Sequence, residues 1–391
     1  MEIRKILVRE LNDFVAEISR ERDKYQVQPI DKVRACAHSK NPNAKGDDLA
    51  LVVAYSENKC IAYTGVIATA YLKNGVKHKT YAHTTFYVHP SFRKIIKESG
   101  KTVGELIIDT ILETGDGLIT TGLSSSAEKF FLRNKETFTS IPPLAYSILT
   151  INRLQPYQTL SRKALNNIKN QYLRKLLLNF EIVGKSTIDK FIWLIVSHLC
   201  LKKLTSKPHS LCFKEVKAFM PLTEYDISDA GSLEIHLLRD HHTINWMLHD
   251  SWLITGIEPR LSNYYFEICR KSFHFKAYEI FDKKNNRISG LLTLSISTRE
   301  NITTLKVLDS LTTDETCYSA ILCYLIKNIP RWNINQLHLP DKYQNLLQTT
   351  PLIKFSSVEH RGYFIALPLS LKIEDLTLFR ADYCDCDRSF A

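Results

Sequence analysis

The chain has 391 residues, with 52 Lys and Arg against 41 Asp and Glu, a formal charge of +11 at pH 7. That length suits two or three domains of roughly 150 residues, and a 44% hydrophobic, 24% charged composition is that of an ordinary globular protein. Thirteen Gly and thirteen Pro exclude collagen-like and low-complexity classes, and the apolar and aromatic content excludes disorder of the whole chain. The charge is uneven: residues 1–150 carry 21 basic and 17 acidic groups, 151–210 carry 11 and 2, and 211–391 carry 20 and 22. The surplus is a local basic surface in the middle of the chain.

Val8, Leu11, Phe14, Val15 and Ile18 recur at helical spacing and predict an amphipathic helix. A polar loop, Asn41–Asp48, leads into three strand-like runs, Leu49–Tyr55, Cys60–Leu72 and Lys79–Val88, separated by Ser56–Lys59 and Lys73-Asn74-Gly75. A loop over Ser91–Gly100 precedes a helix from about Thr102 to Glu113. A strand at Leu118–Gly122, a helix at Ser124–Arg133 and a strand at Tyr146–Ile151 follow. This order predicts an α+β fold with a mainly antiparallel sheet.

Residues 156–205 read as basic helices. Their most apolar stretch, Phe191–Leu201, is about half a membrane span and suits a buried or interfacial helix. The element order then recurs: a helix at Leu237–Leu248, a hairpin of Phe275–Phe281 and Ile288–Ile296 and a strand at Ile302–Leu308. A helix at Asp314–Asn328, a strand at Gln336–Leu339, a helix at Lys342–Leu347 and a strand at Tyr363–Leu367 complete it. The expected division is 1–155, a helical connector over 156–210, and 211–391. Nine scattered cysteines, several inside apolar runs, read as core residues of a cytoplasmic protein. Met1–Glu10 is charged from the start, so no secretory leader is expected.

The most informative segment is Tyr81–Thr110, a strand ending Val88-His89-Pro90, a polar loop and a helix. Ser99, Gly100, Lys101, Thr102, Val103 and Gly104 would present backbone N–H groups at a helix N-terminus, an arrangement that suits a pyrophosphate, with Lys101 adding charge. Strand alternation places His83, Thr85 and Tyr87 on one face and Ala82, Thr84, Phe86 and Val88 on the other. His83 is a candidate base. Ser99-Gly100-Lys101-Thr102 echoes the end of a P-loop, but Ile95 stands where that motif needs Gly. Cys384 and Cys386 lack a second pair at ligand spacing, so no metal is expected.

The segment resembles the acyl-CoA-binding motif of the GCN5-related N-acetyltransferase superfamily through Val88, Pro90, Arg93 and Gly104, followed by Leu106 and Ile107. Ser124–Asn134 resembles the later helix of that family. The resemblance covers about residues 5–150, and 211–391 resembles a worn second copy, as in tandem-domain bacterial members. It implies acetyl transfer from acetyl-CoA to an amine, a small molecule or amino sugar before a protein. Tyr87, Val88, Arg93, Ser99–Gly104 and Ser125 would then contact the donor. The loop departs from the compact family pattern, with six residues between Arg93 and Gly100. The Tyr that often serves as acid corresponds to Phe131. In the enhanced-intracellular-survival type of tandem acetyltransferase the terminal carboxylate acts as base. That resemblance implies the same for Ala391, aided by Asp385 or Asp387.

Two other functions fit the sequence. A tRNA-dependent aminoacyl transferase of the peptidoglycan-bridge type also pairs two such domains, and the basic 156–205 segment would then meet RNA phosphates. A non-catalytic module would keep the fold without the chemistry. The same segment would also suit a membrane surface; DNA is not an expected partner, and oligomeric state is open.

Overall fold

The computed structural model describes residues 1–95, 99–121, 125–151, 195–204, 211–221, 235–256, 264–266, 268–283, 287–312, 316–368 and 371–380. Most of the expected connector, and the tail with Asp385, Asp387 and Ala391, lies outside them.

The fold is α+β. In the first half, strand β1 (Glu2–Leu7) precedes helix α1 (Leu11–Arg20) and helix α2 (Lys32–Ser39). An antiparallel meander follows: β2 (Leu49–Ser56), β3 (Lys59–Lys73) and β4 (Val76–Val88). Then come α3 (Val103–Leu112), β5 (Leu118–Thr121), α4 (Ser125–Arg133) and β6 (Thr139–Thr150). The turns are built by their residues. Glu57-Asn58 and Asn74-Gly75 take the positive φ values that tight hairpins demand.

Residues 195–204 form helix α5, which packs Cys200 and Leu204 into the core of the second half. There the described elements run β7 (Leu211–Val216), β8 (Ile235–Leu237), α6 (His241–His249), β9 (Leu253–Thr255) and β10 (Ile268–Arg270). A second meander comprises β11 (Ser272–Asp282), β12 (Arg287–Arg299) and β13 (Ile302–Thr312). It leads to α7 (Thr316–Asn328), β14 (Gln336–Pro340), α8 (Gln344–Gln348), β15 (Ser356–Ala366) and β16 (Phe379–Arg380). The repeat of element order is thus present in the fold.

Fourteen of the described strands join one sheet, twelve of them in the order β1-β2-β3-β4-β5-β15-β6-β14-β13-β12-β11-β7, with β8 on β3 and β16 on β8, while β9 and β10 pair by themselves. The halves exchange strands. β15 lies between β5 and β6, and β6 pairs in turn with β14. Phe364 of β15 therefore packs in the core around α3, with Val103, Ile107, Ile111 and Phe131. On the opposite face α1 and α2 cover Leu51, Val53, Tyr55 and Tyr63. In the second half α7 covers Leu292, Leu294, Leu305 and Leu337.

Three elements differ from expectation. β1 is a strand although half of it is charged, because it is an edge whose outer side faces water. α2 was not expected: Arg34 and His38 are buried in it, so its inward face carries no apolar periodicity. The helix expected at Leu237–Leu248 starts at His241, capped by the Asp240 side chain, which accepts from the N–H of Thr243.

Candidate active site

The site is made where β4 leaves β5. These parallel strands pair only at Tyr81–Leu118 and Ala82–Ile119, and β4 then runs six residues further without that partner. A β-bulge lies at the departure: Val66 pairs with His83 and Gly65 with Thr85, leaving Thr84 as the extra residue. A Cβ on Gly65 would stand 2.6 Å from Thr85 Oγ1 and 2.9 Å from Thr84 Oγ1, so only glycine fits opposite the bulge.

The bulge corrects the expected faces of β4. One extra residue moves every later side chain across the sheet. His83, Phe86 and Val88 face α3 and α4, where the His83 ring lies 5.8 Å from those of Phe86 and Phe131. Tyr87 faces the opposite side and stacks between Tyr63 at 5.3 Å and Tyr265 at 5.1 Å. Tyr87 and Val88 therefore point to different sides of the sheet.

His83 is 5% exposed, and both ring nitrogens are engaged: Nε2 with Thr64 Oγ1 at 2.8 Å and Nδ1 with Thr120 Oγ1 at 3.0 Å. Burial pushes its pKa down to about 4, so the ring is neutral at pH 7. It bridges the mouth of the fork as a hydrogen-bonded strut. Phe131 is fully buried, edge-on to Phe138 at 4.7 Å and stacked on Phe364 at 5.9 Å.

The loop before α3 is folded on its own side chains. Arg93 Nε donates to the Val88 carbonyl at 3.0 Å. Gly100 has φ +75°, a left-handed turn. Thr102 caps α3, and Glu105 returns its carboxylate to the Thr102 N–H at 2.6 Å, a capping box. Lys101 pairs with Asp109 at 2.7 Å. Val103 and Gly104 are the first residues of the helix, where N–H groups have no partner of their own turn. A Cβ on Gly104 would meet Phe86 and Phe130 at 3.2 Å, so this glycine serves the contact of α3 with β4 and α4. Ser99 adjoins this turn, and Ser125 opens α4.

Sequence reasoning missed the groups on the other face. α2 lays His38 edge-on to Trp252 at 5.0 Å and Arg34 over Trp252 at 5.3 Å and Tyr264 at 5.7 Å. His38 is 4% exposed, and burial with the nearby Arg34 charge holds its pKa well below the usual range. Its two nitrogens, Tyr63 Oη and Thr84 Oγ1 are buried with no hydrogen-bond partner among the described residues. Polar groups in that state mark a place where water or a ligand belongs. The available signal was Arg34 and His38 four residues apart on one helical face.

No protein-family model and no curated protein matches the sequence. Solved structures do match it. A GCN5-related N-acetyltransferase from Anabaena variabilis aligns with a TM-score of 0.50 at 11% identity, over 93% of this chain and 72% of that one. A conserved protein from Enterococcus faecalis, described as a probable N-acyltransferase, aligns with a TM-score of 0.50 at 11% identity, over 93% and 71%. The fold is that of the GCN5-related N-acetyltransferases.

Proposed function

We propose that the protein is an N-acyltransferase that moves an acetyl group from acetyl-CoA to the amine of a small molecule or amino sugar. The observation that carries this reading is the opening of β4 from β5 beside the N-terminus of α3. The gap exposes the β4 backbone beyond the bulge to a thioester carbonyl, and the helix end offers N–H donors to a pyrophosphate.

In this reading Val103 and Gly104 N–H groups, with Ser99, Gly100, Lys101, Thr102, Arg93 and Ser125 around them, hold the donor. Val88 supplies backbone at the gap, and Tyr87 faces the acceptor. The acceptor nitrogen attacks the carbonyl carbon; the N–C bond forms, the C–S bond breaks, and the sulfur leaves as thiolate to take up a proton. A base removes the proton of the acceptor ammonium. His83, with both nitrogens bound to threonine hydroxyls, holds the fork open. The base in this proposal is the Ala391 carboxylate or Asp385 or Asp387. β16 sits beside β8, and β8 beside Tyr71 and Leu72 of β3. Val66, opposite His83, is about 17 Å from Tyr71 along that strand. The eleven residues after Arg380 reach about 36 Å when extended.

Calorimetric titration with acetyl-CoA tests the donor. Saturable binding, weakened by Lys101→Glu, supports the reading, and absence of binding ends it. Phe131 in place of a hydroxyl-bearing acid favours a second reading, a non-catalytic acyl-CoA-binding module. Release of free thiol in the presence of an amine panel separates the two. Asp385→Asn with Asp387→Asn should then lower turnover and leave acetyl-CoA affinity unchanged.

A further inference from the structure

The fork between β4 and β5 has a closed end. Its last backbone pair is Ala82 with Ile119. One residue further, His83 Nδ1 meets Thr120 Oγ1 at 3.0 Å and His83 Nε2 meets Thr64 Oγ1 at 2.8 Å, which ties β3, β4 and β5 together. Thr64 and Thr120 are fully buried, and His83 nearly so. Burial keeps the imidazole neutral at pH 7, so no charge stands at the closed end. With its polar atoms spent on one another, the bridge offers the gap mainly carbon surface.

Among the described residues, the side toward α3 and α4 is closed by aromatic rings. The His83 centroid lies 5.8 Å from Phe86 and 5.8 Å from Phe131, and those two are 6.2 Å apart. That is the spacing of rings in contact. Phe130 lies against Phe86 at 5.1 Å and Phe131 at 5.3 Å. Phe138 at 4.7 Å and Phe364 at 5.9 Å hold Phe131 from the far side. Helix α3 presses on Phe86 and Phe130 at Gly104, where a Cβ would stand 3.2 Å from each ring. Each ring is packed against at least two others, so none can turn aside without opening the core.

We infer that His83 and Phe131 set the length limit of the donor's acyl group, with Thr64 and Thr120 holding the imidazole in place. The fork takes an acetyl group and turns away butyryl and longer chains. This limit rests on the acyl-transfer reading, in which the β4 backbone beyond the bulge holds the thioester carbonyl. The acyl carbons then lie between the His83–Thr120 bridge and the Phe86–Phe131 pair. Further methylenes must part those rings or break the bond to Thr120. One methylene that a pocket does not fit changes discrimination by roughly 10- to 200-fold.

The test is calorimetric titration of the full chain with acetyl-CoA, butyryl-CoA and octanoyl-CoA. Saturable acetyl-CoA binding is expected, with the two longer donors each weaker by about tenfold or more. His83→Ala removes the ring at the closed end, and Phe131→Leu shortens the side chain below it. In each, the preference for acetyl-CoA over butyryl-CoA should fall about tenfold. That ratio compares two donors in one protein, so a loss of folded protein does not move it. Where His83→Ala lacks a cooperative melt, Phe131→Leu carries the test. Equal affinity for the three donors, or tighter binding of a longer one, overturns the length limit and leaves acyl transfer standing. So does a preference for acetyl-CoA that the folded variants keep unchanged. Absence of binding by all three donors ends the acyl-transfer reading and the length limit with it.

Discussion

His83 Nδ1 meets Thr120 Oγ1 at 3.0 Å, one residue beyond the last backbone pair between β4 and β5. A side chain thus takes over where the main-chain ladder stops. The strands can part without leaving the fork unsupported, and the imidazole that does this is spent on two threonines.

The first prediction concerns pH. The His83 pKa falls from about 6.5 in the unfolded chain to about 4 in the folded protein. The unfolded state therefore binds more protons between these values. The stability this group contributes is fully present above pH 6.5 and is lost as pH falls to 4, at most about 3 kcal/mol. His38, also held down by burial, acts in the same direction. The urea midpoint should drop across that window, and His83→Gln should flatten part of the drop. A variant that follows the wild-type curve throughout would show that His83 is not held neutral.

Gly65→Ala should destabilise the protein by about 1–3 kcal/mol, the usual range for overpacking. Its Cβ would collide with Thr85 Oγ1, which cannot turn away without giving up the bond it accepts from the Gly65 N–H at 3.0 Å. Thermal melting of Gly65→Ala and of Gly65→Ala with Thr85→Val would check this. An unshifted single variant would mean that the bulge yields.

Glu105 places a carboxylate on the Thr102 N–H at the end of α3 where the donor pyrophosphate is proposed to lie. Under that proposal Glu105→Gln should tighten acetyl-CoA binding severalfold, because a like charge is removed while the cap geometry is kept. Calorimetry on the two proteins at equal salt decides it; equal or weaker affinity in the variant would move the pyrophosphate away from this turn.

Phe364 comes from the last third of the chain, yet it stacks on Phe131 in the core around α3. Phe364→Ala should cost about 3–5 kcal/mol, as for other buried aromatic truncations. Residues 1–151 made alone lack β15, so β5 and β6 have no strand between them. That fragment should show no cooperative melt, and adding residues 195–391 should restore one. Cooperative melting of the fragment alone would sink the idea that the halves fold as a unit.

Much of the scaffold was legible. Alternating apolar runs and the Asn74-Gly75 turn marked the meander, and Val88 through Gly104 marked a strand, a loop and a helix, because these signals are local. The site was less legible. His83 was visible as a polar residue in a strand, but its companions were not, since a bulge at Thr84 reversed the later side chains and no local pattern marks a bulge. The chain position of Gly104 suits a phosphate turn, whereas the Phe86 and Phe130 rings against it come from other elements. Arg34 and His38 leave no apolar signal, because a buried charged or polar residue does not enter the hydrophobic periodicity of its helix.

The sequence by itself determined the α+β class, the recurrence of its element order and the place of the loop before α3, all set by residues close together in the chain. Only the tertiary structure decided that β15 and β6 exchange between the halves. It alone decided that His83 is a strut, and that Phe86, Phe131 and Phe364 pack beneath it. The physical reason is the same for each. Strand partners and side-chain neighbours are chosen by burial and hydrogen bonding between segments far apart in sequence, and a linear pattern carries no record of that choice.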